Sequence, residues 1–367
     1  MGAAIETRSL SKTFVTKTKD PGLRGSVKAM FRPEVLEVQA VRGIDLHVDK
    51  GEVVAFIGPN GAGKSTTIKM LTGILHPSSG EANVLGYVPW RDRERLSFRI
   101  GSVFGQKSQL WYHLPPSDTF NLLASIYEMD RSAYEERREF LIDSFEIEDL
   151  MKVPVRKMSL GQRMRCEIAA SLLHGPEVIF LDEPTIGLDV VARQNVRQTL
   201  KKWNDQEKAT VFLTSHDVGD IEYLADRVII INHGQVVLDD AVNNLKYRYL
   251  NKKVVDLRLA HPCPELRIAG VTVSKAKDTG MKLEVDTGVC AIDEVISQIL
   301  RDCEVLDISI SDPPLEDIIA AIYTAEESDG RAGVAATVKD STKDSTKDST
   351  KDNTEDTTGD GRKEGAR

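Results

Sequence analysis

No stretch of this 367-residue chain approaches the roughly 20 consecutive apolar residues of a membrane-spanning helix. Work at a membrane would therefore need spans from another chain. A basic excess is missing too. The formal net charge is −9, which argues against broad affinity for nucleic acid, so no nucleic-acid partner is expected. Cysteine is scarce. Cys166, Cys263, Cys290 and Cys303 show no C-x-x-C or Cys/His spacing that would hold a metal, and they read as reduced, mostly buried thiols. The start, Met1-Gly2-Ala3-Ala4-Ile5-Glu6, lacks a basic region followed by an apolar one, so no secretory leader is expected there. Glu6 also spoils the myristoylation pattern that Gly2 would begin. What remains is a globular balance, 41% hydrophobic and 29% charged, on a chain long enough for two domains.

The most specific stretch present is Gly58-Pro59-Asn60-Gly61-Ala62-Gly63-Lys64-Ser65-Thr66. It ends an apolar run, Val53–Ile57, and opens into Thr67-Ile68-Lys69-Met70-Leu71. Strand, glycine-rich loop and helix in this order carry the G-x-x-x-x-G-K-[ST] spacing of a phosphate-binding P-loop. The glycines let backbone N–H groups close around phosphate oxygens, and the helix N-terminus adds partial positive charge. Lys64 supplies a point charge at the β- and γ-phosphates and Ser65 a hydroxyl for Mg²⁺.

Around this loop the chain reads as an α/β protein. Alternation in Ile5–Arg8 and Ala40–Val48 predicts half-buried antiparallel strands. An insertion from about Val15 to Val38 separates them. It carries Lys17, Lys19, Arg24, Lys28 and Arg32, with Leu23, Val27, Met30 and Phe31 interleaved. It reads as a solvated loop with one packed helical turn, or as a small amphipathic element for anionic lipid headgroups or a membrane partner. A strand at Ile100–Gln106 leads to helices around Asp118–Met129 and Arg131–Phe145, capped by Ser117 or Asp118 and by Asp130 or Ser132. This is a mostly helical subdomain, about 107–157. Residues 159–240 return to helix–strand alternation, with apolar strands Val178–Leu181 and Thr210–Thr214 suited to a buried parallel sheet. Strands at 254–259, 271–273, 281–285 and 305–310 and helices at 292–300 and 315–323 make 252–325 a small α+β domain. The polar tail from about Glu326 to 367 is of low complexity; within it Lys339-Asp340-Ser341-Thr342 repeats through Thr350, and a polar period without apolar residues predicts disorder.

A second nucleotide element is Val178-Ile179-Phe180-Leu181-Asp182-Glu183-Pro184. An apolar strand ending in two carboxylates places them at the sheet edge where P-loop ligands sit. Asp182 suits Mg²⁺, through water, and Glu183 suits polarisation of an attacking water as general base.

Met158-Ser159-Leu160-Gly161-Gln162-Arg163-Met164-Arg165 resembles the LSGGQ signature of ABC ATPases, with Leu160 in place of the first glycine. Further elements follow that family's order. Gln106 resembles the Q-loop glutamine, Gly187-Leu188-Asp189 the D-loop, and His216 in Leu213-Thr214-Ser215-His216-Asp217 the switch histidine. Gly234 after Ile229-Ile230-Ile231 is similar to the strand–glycine end of that fold. The resemblance covers roughly residues 4–245. It implies an ABC ATPase nucleotide-binding domain over 1–245, with an antiparallel β subdomain and a helical subdomain on the P-loop NTPase core. It also implies ATP and Mg²⁺ as ligands, with Ser65, Gln106 and Asp182 at the metal, and catalysis by Glu183, His216 and Gln106. Two copies sandwich two ATP molecules in this family, so Ser159, Leu160, Gly161 and Gln162 would close on a γ-phosphate held by another subunit, beside the D-loop Asp189. Function is expected to be retained despite Leu160. Adenine would stack on Phe14, with Phe31 as the second candidate.

A single catalytic set and a short helical insert resemble a transporter ATPase that receives a coupling helix from a permease. Trp111 and Tyr112 would flank that groove, as exposed aromatics anchor interfaces, or else serve as subdomain core. Leu75–Gly80, Leu85–Trp90 and Pro313–Ile319 resemble bacterial two-component exporters with type-2 permeases. The insertion before Val41 is similar to that of relatives exporting polysaccharide. These likenesses imply a separate integral membrane permease, a second copy or a paralogue as dimer partner, and a peripheral place on the cytoplasmic face of the cell membrane. The rival expectation is a soluble regulatory or mechanical ATPase with no permease. Intact Lys64, Asp182, Glu183 and His216 argue against a non-hydrolysing binding module.

Overall fold

A computed structural model of the chain describes residues 2–18, 34–105, 108–248, 252–262, 268–313, 315–320 and 322. The chain divides into two compact units, Met1–Glu316 and Asp317–Arg367. The second is described only at 317–320 and 322, which are helical. The tail repeat and Tyr323 lie outside the described residues.

Two long strands come first, β1 (Ala3–Thr18) and β2 (Glu34–Asp49), followed by β3 (Val53–Ile57), α1 (Lys64–Leu71) and β4 (Ser79–Val84). A short α2 (Arg93–Ser97) leads to β5 (Ile100–Phe104) and the helical segment α3 (Pro116–Ile126) and α4 (Arg131–Phe145). The chain then alternates through α5 (Leu160–Ser171), β6 (Val178–Asp182), α6 (Val190–Glu207), β7 (Thr210–Thr214), α7 (Val218–Leu224) and β8 (Arg227–Asn232). It closes this part with β9 (Gln235–Ala241) and α8 (Val242–Arg248).

The central sheet has the order β5-β6-β7-β3-β8-β9, parallel except for β9. Its inner strands are apolar and buried along their length, because helices cover both faces and no polar side chain there would find water. Phe212 on β7 meets Phe56 of β3 and Phe180 of β6 in tilted contacts, with ring centroids 5.2 and 5.8 Å apart. A separate antiparallel sheet, β2-β1-β4, shares the main core through Ile5, Val41, Leu46 and Val84.

The insertion is where expectation and structure part. Its two ends are strand rather than loop: Val15 pairs with Glu37 and Thr18 with Glu34 in continuous antiparallel register. The backbone thus gains ladder bonds while Val15, Leu36 and Val38 stay exposed. Residues 19–33, which include Lys19, Leu23, Arg24, Val27, Lys28, Met30, Phe31 and Arg32, lie outside the described residues.

Helix α4 runs Arg131–Phe145 as expected, whereas α3 runs Pro116–Ile126 rather than Asp118–Met129, and the caps differ. Pro115 stands at the N-cap of α3 and Pro116 opens the helix, where a missing N–H costs nothing. Asp130 stands at the N-cap of α4 without a side-chain cap bond. The segment is fastened by aromatic stacking. Tyr127 lies flat on His174, centroids 3.9 Å apart, and Phe98 meets Tyr127 edge-on. His174 Nε2 lies 3.0 Å from the Ile100 carbonyl, so the neutral ring donates there. Burial pushes the imidazole from its ordinary 6.5 down to about 4. A folded pKa below the unfolded one means that the unfolded chain binds the extra proton. The contribution of this ring is then complete above pH 6.5 and is lost as pH falls toward 4. We expect up to about 3 kcal/mol from the site over that window. His174→Gln should flatten the fall in melting temperature between pH 7 and pH 4 as followed by calorimetry.

A second core lies in the antiparallel sheet β11-β12-β10-β13, built from β10 (Lys252–Leu259), β11 (Val271–Lys277), β12 (Gly280–Asp286) and β13 (Val305–Ser311). Helix α9 (Ile292–Asp302) covers one face through Val295 and Ile299 against Val255, Leu257, Leu283 and Val285. Cys166 is free and buried, and burial pushes its thiol up to about 12. Cys290 is free, whereas Cys303 is disulfide-bonded, a departure from the expected set of reduced thiols. Cys263 lies outside the described residues.

Candidate functional site

The P-loop residues join the buried strand β3 to α1. Gly63 precedes the helix at φ 111°, and a Cβ there would come within 2.5 Å of the Ala40 carbonyl, so only glycine lets β2 abut the loop. Helix α1 has no side-chain cap, which leaves its first N–H groups turned to the loop and free for an anion. Lys64 is buried. Its Nζ donates to the carbonyls of Gly58 at 2.6 Å and Pro59 at 3.3 Å. Burial lowers its pKa, and the nearby Glu183 and Asp182 oppose that shift only in part.

Parallel pairing brings the remaining groups to the same sheet edge. Asp182 sits opposite Thr214 in the β6–β7 register. Its Oδ1 accepts from Thr214 Oγ1 at 2.7 Å and from Ser65 Oγ at 3.2 Å. Ser65 and Asp182 are hard oxygen donors at hydrogen-bond distance, the kind of pair that holds Mg²⁺ together with nucleotide phosphates and water. No cluster of three or more His, Cys, Asp or Glu side chains suited to a metal occurs among the described residues.

Glu183 follows with φ 57°, a left-handed conformation that costs a non-glycine residue of order 1 kcal/mol. Its N–H donates to the Thr214 carbonyl and to Thr214 Oγ1, both at 3.1 Å, which holds the turn in place. The carboxylate Oε1 then meets His216 Nε2 at 2.8 Å, and the same Nε2 lies 3.2 Å from Lys64 Nζ. One imidazole nitrogen cannot serve both at once. As N–H it donates to Glu183, and as a lone pair it accepts from Lys64. Ser65, Phe104, Gly105, Asp182 and Glu183 line a cavity of about 240 Å³. Gln106, the expected Q-loop residue, adjoins it in sequence and lies outside the described residues.

Phe14 is exposed on β1, paired with Val38, with Lys12 Nζ 5.4 Å from its ring centre. Val38 is two positions along β2 from Ala40, which abuts the P-loop, so the ring stands roughly 7 Å further along the ribbon. Phe31 lies outside the described residues.

Ser159, Leu160, Gly161 and Gln162 form a second group at the start of α5. Ser159 Oγ accepts from Gln162 N at 3.2 Å and Gln162 Oε1 accepts from Ser159 N at 2.9 Å, a reciprocal capping box. Asp189 caps α6 by accepting from Ala192 N at 2.8 Å. The two helix starts touch, and a Cβ on Gly161 would fall 2.7 Å from Ala192 Cβ. Leu160 turns its Cδ2 toward Gly187 of the expected D-loop, so the larger side chain is taken up within its own chain. Ser159, Gly161, Gln162 and Asp189 line an open cavity that shares no lining residue with the cavity at Ser65 and Glu183.

Two contributors escaped the sequence reading. Thr214 orders both acidic residues; its only signal was a hydroxyl ending an apolar strand. Glu167, buried on α5, accepts hydrogen bonds from Ser108 and from the Gln109 backbone, just past the expected Q-loop; desolvation raises its pKa. Nothing local marked it.

Comparison with known proteins places these groups in context. The sequence model of the ABC transporter family matches residues 41–186. The chain is 33% identical over 215 residues to the ABC transporter ATP-binding protein NatA of Bacillus subtilis, covering 59% of this chain and 87% of NatA. It is 33% identical over 306 residues to the daunorubicin/doxorubicin resistance ATP-binding protein DrrA of Streptomyces peucetius, covering 80% of this chain and 90% of DrrA. Among solved structures, cbiO1 of Clostridium perfringens, part of the ABC transporter complex cbiONQ, superposes with a TM-score of 0.55 at 25% identity, over 67% of this chain and 91% of cbiO1. The ATP-binding cassette MJ0796, in a dimeric post-hydrolysis state bound to ADP and Pi, gives 0.53 at 25% identity, over 65% of this chain and 98% of that one.

Proposed function

This chain belongs to the family of ABC transporter ATP-binding proteins, and from that premise we propose that it hydrolyses ATP to drive export through a separate membrane permease. ATP and Mg²⁺ are its ligands. Lys64 and the P-loop amides would hold the β- and γ-phosphates, and Ser65 and Asp182, with Gln106, would hold Mg²⁺, which when bound would supply positive charge against the phosphates. Glu183 takes the proton of the attacking water, and His216 holds the γ-phosphate. Phe14 stacks on adenine. Residues 1–245 form the nucleotide-binding domain, with its helical subdomain at about 107–157, and 252–325 the small accessory domain.

The observation that carries the dimer is the separation of the two cavities. Ser159, Gly161, Gln162 and Asp189 line a cavity that shares no described lining residue with the one at Ser65 and Glu183, and Val190 and Val191 are exposed beside them. A second subunit, a copy of this chain or a paralogue, supplies the nucleotide they close on, and we take the second copy as the partner to be tested. Closure pulls the permease, and loss of the γ-phosphate reopens the pair. Trp111 and Tyr112 are 52% and 58% exposed, which supports an interface role over a core one. Among the described residues no helix is long and apolar enough to cross a membrane. In this reading the membrane path belongs to the permease, and this chain sits peripherally on the cytoplasmic face. Drug and bacitracin relatives, such as DrrA and the bacitracin transport ATP-binding protein BcrA, support an exporter without naming its cargo.

Complementation tests the shared site. A Lys64→Ala chain keeps its signature and a Ser159→Arg chain keeps its P-loop. Each alone should be inactive, and mixing them should restore turnover through mixed dimers. A mixture as inactive as its components would count against the shared site.

A further inference from the structure

Behind His216 lies a charged cluster that touches neither cavity. Asp220 is fully buried and accepts hydrogen bonds from Ser215, Thr185 and Arg197. Asp217 accepts from Arg197 Nη2 at 2.6 Å through one oxygen and from Arg193 through the other. The second terminal nitrogen of Arg193, Nη2, donates to the Leu188 carbonyl at 3.1 Å. Ser215 and Asp217 flank the switch histidine, and Leu188 is the last residue before Asp189. A single guanidinium therefore grips the carboxylate beside His216 with one arm and the carbonyl before Asp189 with the other.

The two arginines differ. Arg197 has a side chain 16% exposed and binds the buried Asp220, so it fastens α6 to α7. Arg193 has a side chain 31% exposed and spans from α7 to the loop ahead of α6. Its planar fork fixes the angle between its two hydrogen bonds, so a shift of the Leu188 carbonyl is passed to Asp217.

We propose that Arg193 is a positioning residue which couples the D-loop to the switch histidine, so that His216 is aligned on the γ-phosphate only when the loop carrying Asp189 is seated. This rests on the assignment of His216 to ATP hydrolysis made above. Arg193 makes no contact with the P-loop groups, so its loss falls on turnover and leaves ATP affinity in place. Lysine at this position keeps the charge and most of the stem, but its single nitrogen cannot hold both arms of the fork in their fixed geometry.

The test uses the full chain. ATP turnover, affinity for a fluorescent ATP analogue and melting temperature are measured for Arg193→Lys, Arg193→Ala, Asp217→Asn, Arg193→Ala/Asp217→Asn and His216→Ala. Both Arg193 variants should lose kcat by about tenfold or more, with Kd within about twofold. The double variant should be no slower than the worse single, as for residues acting through one link. Arg193→Lys turning over within about twofold of the parent overturns the coupling, and so does a loss in both Arg193 variants matched by equal loss of ATP affinity or of the melting transition. If His216→Ala keeps full turnover, the site assignment fails and the coupling with it. If His216→Ala is slow while Arg193→Lys is not, only the coupling fails.

Discussion

Glu183→Gln is expected to lower ATP turnover by about 10²- to 10⁴-fold while leaving ATP binding intact. The substitution keeps the volume and the hydrogen bond to His216, and it removes the lone-pair basicity that takes the proton from water. The geometry singles out this residue over its neighbour. Asp182 is tied to Ser65 and Thr214. Glu183 has a left-handed backbone braced by Thr214, and its carboxylate reaches His216 beside the cavity. Single-turnover hydrolysis together with equilibrium binding separates the two effects. A Glu183→Gln chain with parental turnover would remove the general base from the account.

Lys64→Ala should weaken ATP binding by roughly tenfold to a hundredfold, the worth of charged hydrogen bonds to phosphate. The lysine is buried on the Gly58 and Pro59 carbonyls, and burial lowers its pKa against the pull of two carboxylates. Protein groups therefore compensate its ammonium only in part, and phosphate oxygens would complete the compensation. For a lysine lowered in this way the unfolded chain holds the proton more tightly, so the charged side chain costs the empty fold stability below its ordinary pKa of 10.5. The nucleotide-free melting temperature of Lys64→Ala should accordingly hold or rise while affinity falls. A drop in melting temperature with unchanged ATP affinity would reverse the roles assigned to this residue.

Much of the site was legible because its parts sit on segments with strong local signals. The strand before the P-loop, the strand ending at Asp182 and the strand before His216 are apolar runs, and such runs become buried parallel strands. Their order along the chain lets parallel register bring Asp182 and Thr214 to one edge. Elements whose reason is distant were not legible. β4 is polar, with Ala82 and Val84 its buried residues, and it exists by pairing with β1. The ends of the insertion became strand because each supplies the other's backbone partner across the ribbon, a pairing that basic composition conceals. Glu167 and the Arg193–Asp217 link depend on contacts between separate elements, and neither residue belongs to a motif.

The most direct test of the shared site is the mass of the Glu183→Gln chain in solution, by light scattering with and without Mg²⁺ and ATP. The account predicts a monomer of 40.6 kDa without nucleotide and a particle of twice that mass with it. A particle that stays at 40.6 kDa while ATP saturates its P-loop would contradict it.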